Sequence, residues 1–464
     1  MAIKGFSTTK DKYQMDMCRG PLFRQIITFS VPLVISGILQ LLFNAADLIV
    51  IGKFASHQAL AAVGCTGPLT HLIINIFIGL SIGTNVLVAR YLGEKNRKLT
   101  SRTTHTAIMI SIIGGVMLAG IGMLISKPML IWMDTPADVL EMANLYMLIY
   151  FAGMPLIMLY NFGSAILRAM GDTKRPFYFL IIAGIINVLL NLFFVICFHW
   201  DVAGVATATV ISQGVAAILI LRVLMQQRDS CRVKLSNLRI EWKSLRAMMW
   251  IGIPAGFQAS CFSLSNLLIQ SAINSFGSAA IAGFTAAITW EVIGFVTAAA
   301  IGQTVLSFVG QNSGGKQYGR LRQSIWYCSG LCTGFMLVLS AMLIIFARPL
   351  LSCFNSNPEV LDFGVRRFMI CMPLFFTCGI MEVLTSTLRG MGKSVMPTVI
   401  TIFCVCVVRV VYIKTLWLEF PASVSMEALL GLYPATWTLN SLILWVYLYI
   451  VLRKIPQKDT FNQQ

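Results

Sequence analysis

Apolar positions along this chain do not alternate with polar ones at the period of a half-buried helix or strand. They form long uncharged runs separated by short charged intervals. The runs at 25–46, 103–126, 142–167, 177–200, 202–221, 292–315, 323–347 and 428–452 are each near or above the roughly 20 residues that cross a bilayer as helix. Two more, 54–89 and 247–290, are longer. The second must hold two spans, and Asn274-Ser275-Phe276-Gly277-Ser278 supplies small and polar residues for the turn between them. The pattern predicts helices near 24–51, 57–90, 102–126, 139–168, 176–199, 203–226, 246–274, 279–311, 321–347, 360–389, 395–417 and 426–452. The expected fold class is an all-α integral membrane protein of twelve transmembrane helices.

Composition agrees, with 57% of the 464 residues hydrophobic and 11% charged. A net charge of +17 suggests nucleic acid in a soluble protein, so the placement of the cations decides the matter. The intervals 1–24, 90–102, 168–175, 222–246, 310–322, 389–393 and 453–458 hold 28 of the 35 Lys and Arg. The intervals between them are nearly bare or acidic, with Asp134, Asp138, Asp201, Glu419 and Glu427. This alternation places the basic loops and both termini in the cytoplasm. Glu359, Asp362, Arg366 and Arg367 read as one external region of mixed charge. No basic loop carries the interleaved aromatics of a single-strand binder, so no nucleic-acid partner is expected. The first apolar run is too long for a signal-peptide core and reads as an uncleaved helix.

The chain compares well with itself. Leu167-Arg-Ala-Met-Gly-Asp-Thr-Lys-Arg-Pro176 recurs 221 residues later as Leu388-Arg-Gly-Met-Gly-Lys-Ser-Val-Met-Pro397, and Ser30-Val-Pro32 recurs at a shift of 222 as Gly252-Ile-Pro254. A duplicated unit with an even number of spans is a parallel repeat, and transport folds built from repeats hold substrate between them. The expected organisation is a cytoplasmic segment 1–21, an N-lobe 22–226, a cytoplasmic linker 227–245, a C-lobe 246–453 and a cytoplasmic tail 454–464.

Four charges fall inside spans: Asp47, Glu291, Glu382 and Arg409. Each costs about 2.5–3.5 kcal/mol on insertion scales and persists only with a role or a partner. Asp47 has no cation in its own run, and Gln40 and Asn44 precede it by seven and three residues on one helical face, the pattern of a cavity wall. Its expected role is cation coupling, with a structural role as the alternative. Asn187 and Asn191 repeat a polar face at i, i+4. Glu291, Glu382 and Arg409 are divided between a structural carboxylate–guanidinium pair and a proton or substrate site, with the partner of Arg409 left open.

The twelve cysteines lie mostly in apolar spans, and neither they nor the four histidines form a metal-site or catalytic spacing; they read as packing residues. No enzyme activity, resident metal or cofactor is expected.

Val31-Pro32, Asp47-Leu-Ile-Val-Ile-Gly-Lys53 followed by Ala59-Leu-Ala-Ala-Val-Gly64, the paired Leu-Arg-x-Met-Gly loops and Val309-Gly-Gln-Asn312 together resemble the multidrug and toxic compound extrusion (MATE) transporters, over essentially residues 22–453. The resemblance implies two six-helix lobes around a central cavity and efflux of amphiphilic, often cationic, compounds driven by inward H+ or Na+. It also implies a monomer in the lipid of the bacterial inner membrane. The pattern is most similar to the DinF-type branch. By that likeness Asp47 is the acid of helix 1, Gln40 its cavity neighbour, and Asn161, Asn187 and Thr209 the polar residues of helices 4, 5 and 6. Taken with the polar pattern within the spans, the expected coupling site for H+ or Na+ is Asp47, Asn187, Asn191 and Thr209, and the expected substrate cavity is lined by Gln40, Asn44, Asn161, Glu291, Glu382 and Arg409. Asn191 departs from the branch, which often has a second Asp there. A lipid-linked glycan flippase of the same superfamily is the alternative function. It calls for a strongly cationic cavity.

Overall fold

The computed structural model describes residues 13–417 and 425–456. The expectations for residues 1–12 and 457–464 and for Glu419 lie outside the described residues. Twelve long helices follow one another: α1 Leu22–Phe54, α2 His57–Gly93, α3 Arg97–Trp132 and α4, whose arms Ala137–Ala152 and Met154–Ala169 meet at 49°. Then come α5 Lys174–Cys197, α6 Asp201–Gln226, α7 Trp242–Asn274, α8 Ser278–Gly314 and α9 Tyr318–Ile345. The last three are α10 Pro358–Gly390, α11 Val395–Thr415 and α12 Met426–Arg453. No strand occurs among the described residues.

Local chemistry explains the ends and bends. Ser56 and Asn96 cap α2 and α3 by accepting from the N–H of Ala59 and Leu99, each at 3.1 Å, which satisfies donors that no earlier turn can reach. The bend in α4 falls at Gly153, two residues before Pro155. In α10 a single tight turn, Met372–Leu374, surrounds Pro373, because proline removes the N–H that would continue the ladder. Pro32 and Pro254 sit inside the unbroken helices α1 and α7. Wide π-turns occupy Phe193–Cys197 in α5 and Ile402–Val407 in α11, and another, Ile413–Trp417, runs on past the end of α11.

Two buried clusters form the cores. One gathers residues of α2 to α6 with Val50 and Ile51 of α1; the other gathers α8 to α12 with Ile269, Ala272 and Ile273 of α7. The first helix of each lobe is shared. Ile26 and Phe29 at the start of α1 pack in the C-lobe core, whereas Met248 and Ile251 at the start of α7 pack in the N-lobe core. These pairs stand 222 residues apart, the register of the proline repeat. Duplication therefore produced a reciprocal exchange of helix ends.

The lobes are joined at the end of the bundle that carries the basic loops. There α2 and α7 cross with backbones touching: a Cβ on Gly79 would lie 2.4 Å from the Gly252 carbonyl. Ser307 of α8 donates to Asn85 of α2 at 3.2 Å, and Arg102 of α3 pairs with Glu241 at 2.6 Å. Gln311 of α8 accepts from the Met17 N–H at 3.3 Å and donates to the Ala169 carbonyl at 2.6 Å, while Asn312 donates to the Met17 carbonyl at 3.2 Å. The Val309-Gly-Gln-Asn312 motif thus clamps the N-terminal segment and the end of α4 to α8.

Candidate functional site

Toward the other end of the helices each lobe holds a polar cluster with charged members, and the two differ in sign. In the N-lobe, Asn191 Nδ2 of α5 donates to the Asp47 carboxylate of α1. The same nitrogen lies 3.4 Å from Asn187 Oδ1, and Asn187 Nδ2 donates to Thr209 Oγ1 of α6 at 3.3 Å. The four residues expected to couple a cation therefore form one hydrogen-bonded chain across three helices. Helix geometry accounts for half of it, since Asn187 and Asn191 share a face of α5. Close approach accounts for the rest. Phe43, one turn before Asp47, lies against Gly184, one turn before Asn187, so tightly that a Cβ there would overlap the edge of the ring.

Asn191 is fully buried and Asn187 nearly so, and Asn191 Oδ1 has no hydrogen-bond partner. Asp47 and Thr209 are partly exposed. An amide at 191 changes the chemistry that a second acid would give. It donates to Asp47 rather than repelling it, and it turns a neutral oxygen into the site. Gln40 and Asn44 are exposed on α1; polar side chains at this depth face water in a cleft, since lipid offers them no partners. Asn161 is half-buried and returns its amide to the Ile157 carbonyl of its own helix at 2.9 Å.

The C-lobe departs from expectation. Glu291 of α8 is paired, but with Arg367, which the sequence pattern placed in an external charged region. Arg367 lies inside α10 and is 2% exposed. Its Nε and Nη2 donate to the two Glu291 oxygens at 2.6 and 2.5 Å, the bidentate geometry that suits a buried ion pair. The signal was present in the spacing: Val360, Gly364, Arg367, Phe368 and Cys371 form one buried face, so Arg367 falls on the apolar side of its helix while Arg366 falls on the exposed side.

Arg409 of α11 pairs with neither candidate carboxylate. Its Nε donates to Thr436 Oγ1 of α12 at 3.1 Å and its Nη1 to Asn266 Oδ1 of α7 at 2.9 Å. The Tyr433 ring lies between the two guanidiniums, 5.0 Å from that of Arg367 and 4.7 Å from that of Arg409. Glu291 and Arg409 are both fully buried, so neither opens onto a cavity here as expected from sequence; both are enclosed because α10 and α12 cover them. Glu382 is only partly buried and accepts from Ser386 at 3.3 Å. Among the described residues no three His, Cys, Asp or Glu gather as a metal-binding group.

The comparisons with known proteins agree with this architecture. The family model described as MatE matches twice, at residues 32–193 and 254–413, which sets the two lobes on one pattern at the proline register. The chain is 29% identical over 441 residues to the Probable multidrug resistance protein YoeA of Bacillus subtilis, covering 90% of this chain and 94% of that one. It is 26% identical over 403 residues to a FAD transporter of Shewanella oneidensis, covering 85% and 87%. Among solved structures, an outward-facing conformation of a multidrug resistance MATE family transporter of the MOP superfamily superposes with a TM-score of 0.85 at 20% identity, over 95% of this chain and 98% of that one.

Proposed function

The chain belongs to the MatE family of membrane transporters, and from that premise we propose that it is a secondary exporter of amphiphilic small molecules, driven by inward movement of H+ or Na+. The observation that carries the coupling is the Asp47–Asn191–Asn187–Thr209 chain. It offers one carboxylate, one unpartnered amide oxygen and a hydroxyl, all oxygen donors of the kind that bind a hard cation; a proton needs only Asp47. Occupancy at Asp47 alters the attraction between α1 and α5, and a ligand moves a conformational equilibrium only by its differential affinity for the two states. Cation entry from outside would thus reset the lobes after substrate release.

The lobes close on each other at the basic-loop end, while Gln40 and Asn44 lie open toward the other. With the basic loops in the cytoplasm, both termini cytoplasmic and the protein a monomer in the bacterial inner membrane, this is an outward-open form. Substrate would sit between lobe 22–226 and lobe 246–453, with Gln40, Asn44, Asn161 and Glu382 nearest the cleft. The names of the B. subtilis and S. oneidensis relatives support a substrate range that runs from drugs to a metabolite. A lipid-linked glycan flippase would need a strongly cationic cleft, and of the two guanidiniums buried at the C-lobe cluster one is neutralised by Glu291.

The test is transport of ethidium in proteoliposomes under H+ and Na+ gradients imposed separately. Accelerated dye movement under one gradient and not under its reverse supports the proposal. Dye flux indifferent to both gradients would refute cation coupling.

A further inference from the structure

Arg409 is a fully buried guanidinium whose Nη2 has no hydrogen-bond partner. The ionisable groups around it are Tyr433 and the thiols of Cys371, Cys378 and Cys406, all ordinarily neutral near pH 7. Glu291, the carboxylate of the same cluster, is engaged by two bonds from Arg367. Among the described residues no acid pairs with Arg409. The cluster around Tyr433 therefore holds two guanidiniums against one carboxylate. An uncompensated buried charge is costly in membrane, and where it persists it marks a place for an opposite charge.

The duplication shows which way that place faces. In the proline register of 222, Gln40 and Asn44, the exposed polar pair of α1, correspond to Phe262 and Asn266 of α7. Both are partly exposed and both touch Arg409: Asn266 accepts its hydrogen bond at 2.9 Å, and the Phe262 ring is 5.7 Å from its guanidinium carbon. In the same register Arg409 corresponds to Asn187 of the cation chain. The extra residue that the π-turn at Ile402–Val407 accommodates carries α11 from the 221 register of the Leu-Arg-x-Met-Gly loop into the 222 register. At these places the two lobes differ in polarity: the N-lobe has amides beside a carboxylate, whereas the C-lobe has Ile269 at the register position of Asp47 and a guanidinium, held by an amide and a hydroxyl, at that of Asn187.

We infer that Arg409, Asn266 and Thr436 form an anion-recognition site in the C-lobe, which takes the carboxylate or phosphate of an amphiphilic substrate whose apolar part lies against Phe262. This rests on the transporter reading and names its substrate class: anionic and zwitterionic compounds. Arg409 Nη2 supplies the free donor, Asn266 turns the guanidinium toward the cleft, and a rotation of α7 exposes it during the lobe movement.

The experiment is binding of carboxyfluorescein to the full chain in phosphatidylcholine nanodiscs, followed by fluorescence polarisation, with ethidium as the cationic comparison. Saturable binding by the unmodified protein is expected, weakened at least about tenfold in Arg409→Gln with ethidium binding kept. Asn266→Asp guards against a misfolded variant. It places a carboxylate beside Arg409, so it should fold with an unfolding temperature no lower than the parent and lose carboxyfluorescein to the same degree; a purely structural Arg409 predicts the same stability with binding unchanged. No saturable carboxyfluorescein binding by the parent, or equal binding in Asn266→Asp, overturns the inference. Adding phosphatidylglycerol separates the sources: competition assigns the anion to a lipid headgroup, and its absence assigns it to a soluble substrate. Loss of gradient-driven ethidium flux would strike the transporter reading alone and leave the binding result standing.

Discussion

Arg367 and Glu291 meet through two parallel hydrogen bonds of 2.6 and 2.5 Å, with both side chains almost wholly removed from solvent and the Arg367 guanidinium 3.9 Å from the centre of the Phe284 ring. The pair joins α8 to α10 in the heart of the C-lobe. Removal of one partner leaves the other charge buried alone, whereas replacement of both leaves only a change of shape. Glu291→Gln alone is expected to cost about 3–5 kcal/mol of stability, and Glu291→Gln with Arg367→Met much less than the sum of the two single changes. Thermal unfolding of the four proteins in detergent gives the coupling directly. Additive losses would mean that the pair does not act as a unit.

Asp47→Asn keeps the shape of the side chain and removes its charge. Transport driven by either cation gradient should fall to background while the unfolding temperature changes little, because Asn191 still finds an oxygen to bond. Proteoliposome flux and a melting curve on the same preparation check this. Full activity in the variant would remove Asp47 from the coupling scheme.

Asn191 and Asn161 are both amides within spans, but only Asn191 reaches another helix. Asn191→Leu should lower cation-driven flux about tenfold or more, since it strips Asp47 of its donor and the chain of its free oxygen. Asn161→Leu should change flux less than about twofold, because the bond it loses runs back into its own helix. Equal effects at the two positions would show that the hydrogen-bonded chain has no special part in coupling.

Gly79 permits the helix crossing that closes the basic-loop end. Gly79→Leu places atoms where the Gly252 carbonyl and Gly256 backbone now stand, and neither can yield as a flexible side chain would. The variant should populate the form separated at that end, read as increased thiol labelling of an introduced cysteine at Ser244 and as slower export. Labelling identical to that of the parent would mean the crossing relaxes without opening.

The chain's own pattern of runs and basic intervals was enough to place twelve spans, because every stretch in lipid must satisfy its backbone as helix and must be apolar for about 20 residues. Its self-similarity was enough to divide them into two lobes, and the uncompensated Asp47 with amides at i, i+4 spacing was enough to draw attention to the N-lobe. Periodicity along single helices accounts for each of these. What joins one helix to another depended on the fold. That Asn191 bonds to Asp47, that Glu291 is held by Arg367 and that Arg409 donates to Asn266 and Thr436 are consequences of how far each helix is rotated about its axis and how closely it approaches its neighbour. The Gly184–Phe43 contact reflects the close approach of α1 to α5, and the π-turn at Ile402–Val407 lies in α11 just before Arg409. A side chain's charge is written in the sequence, but the partner of Asp47 lies 144 residues away, and only packing in three dimensions brings the two within hydrogen-bond reach.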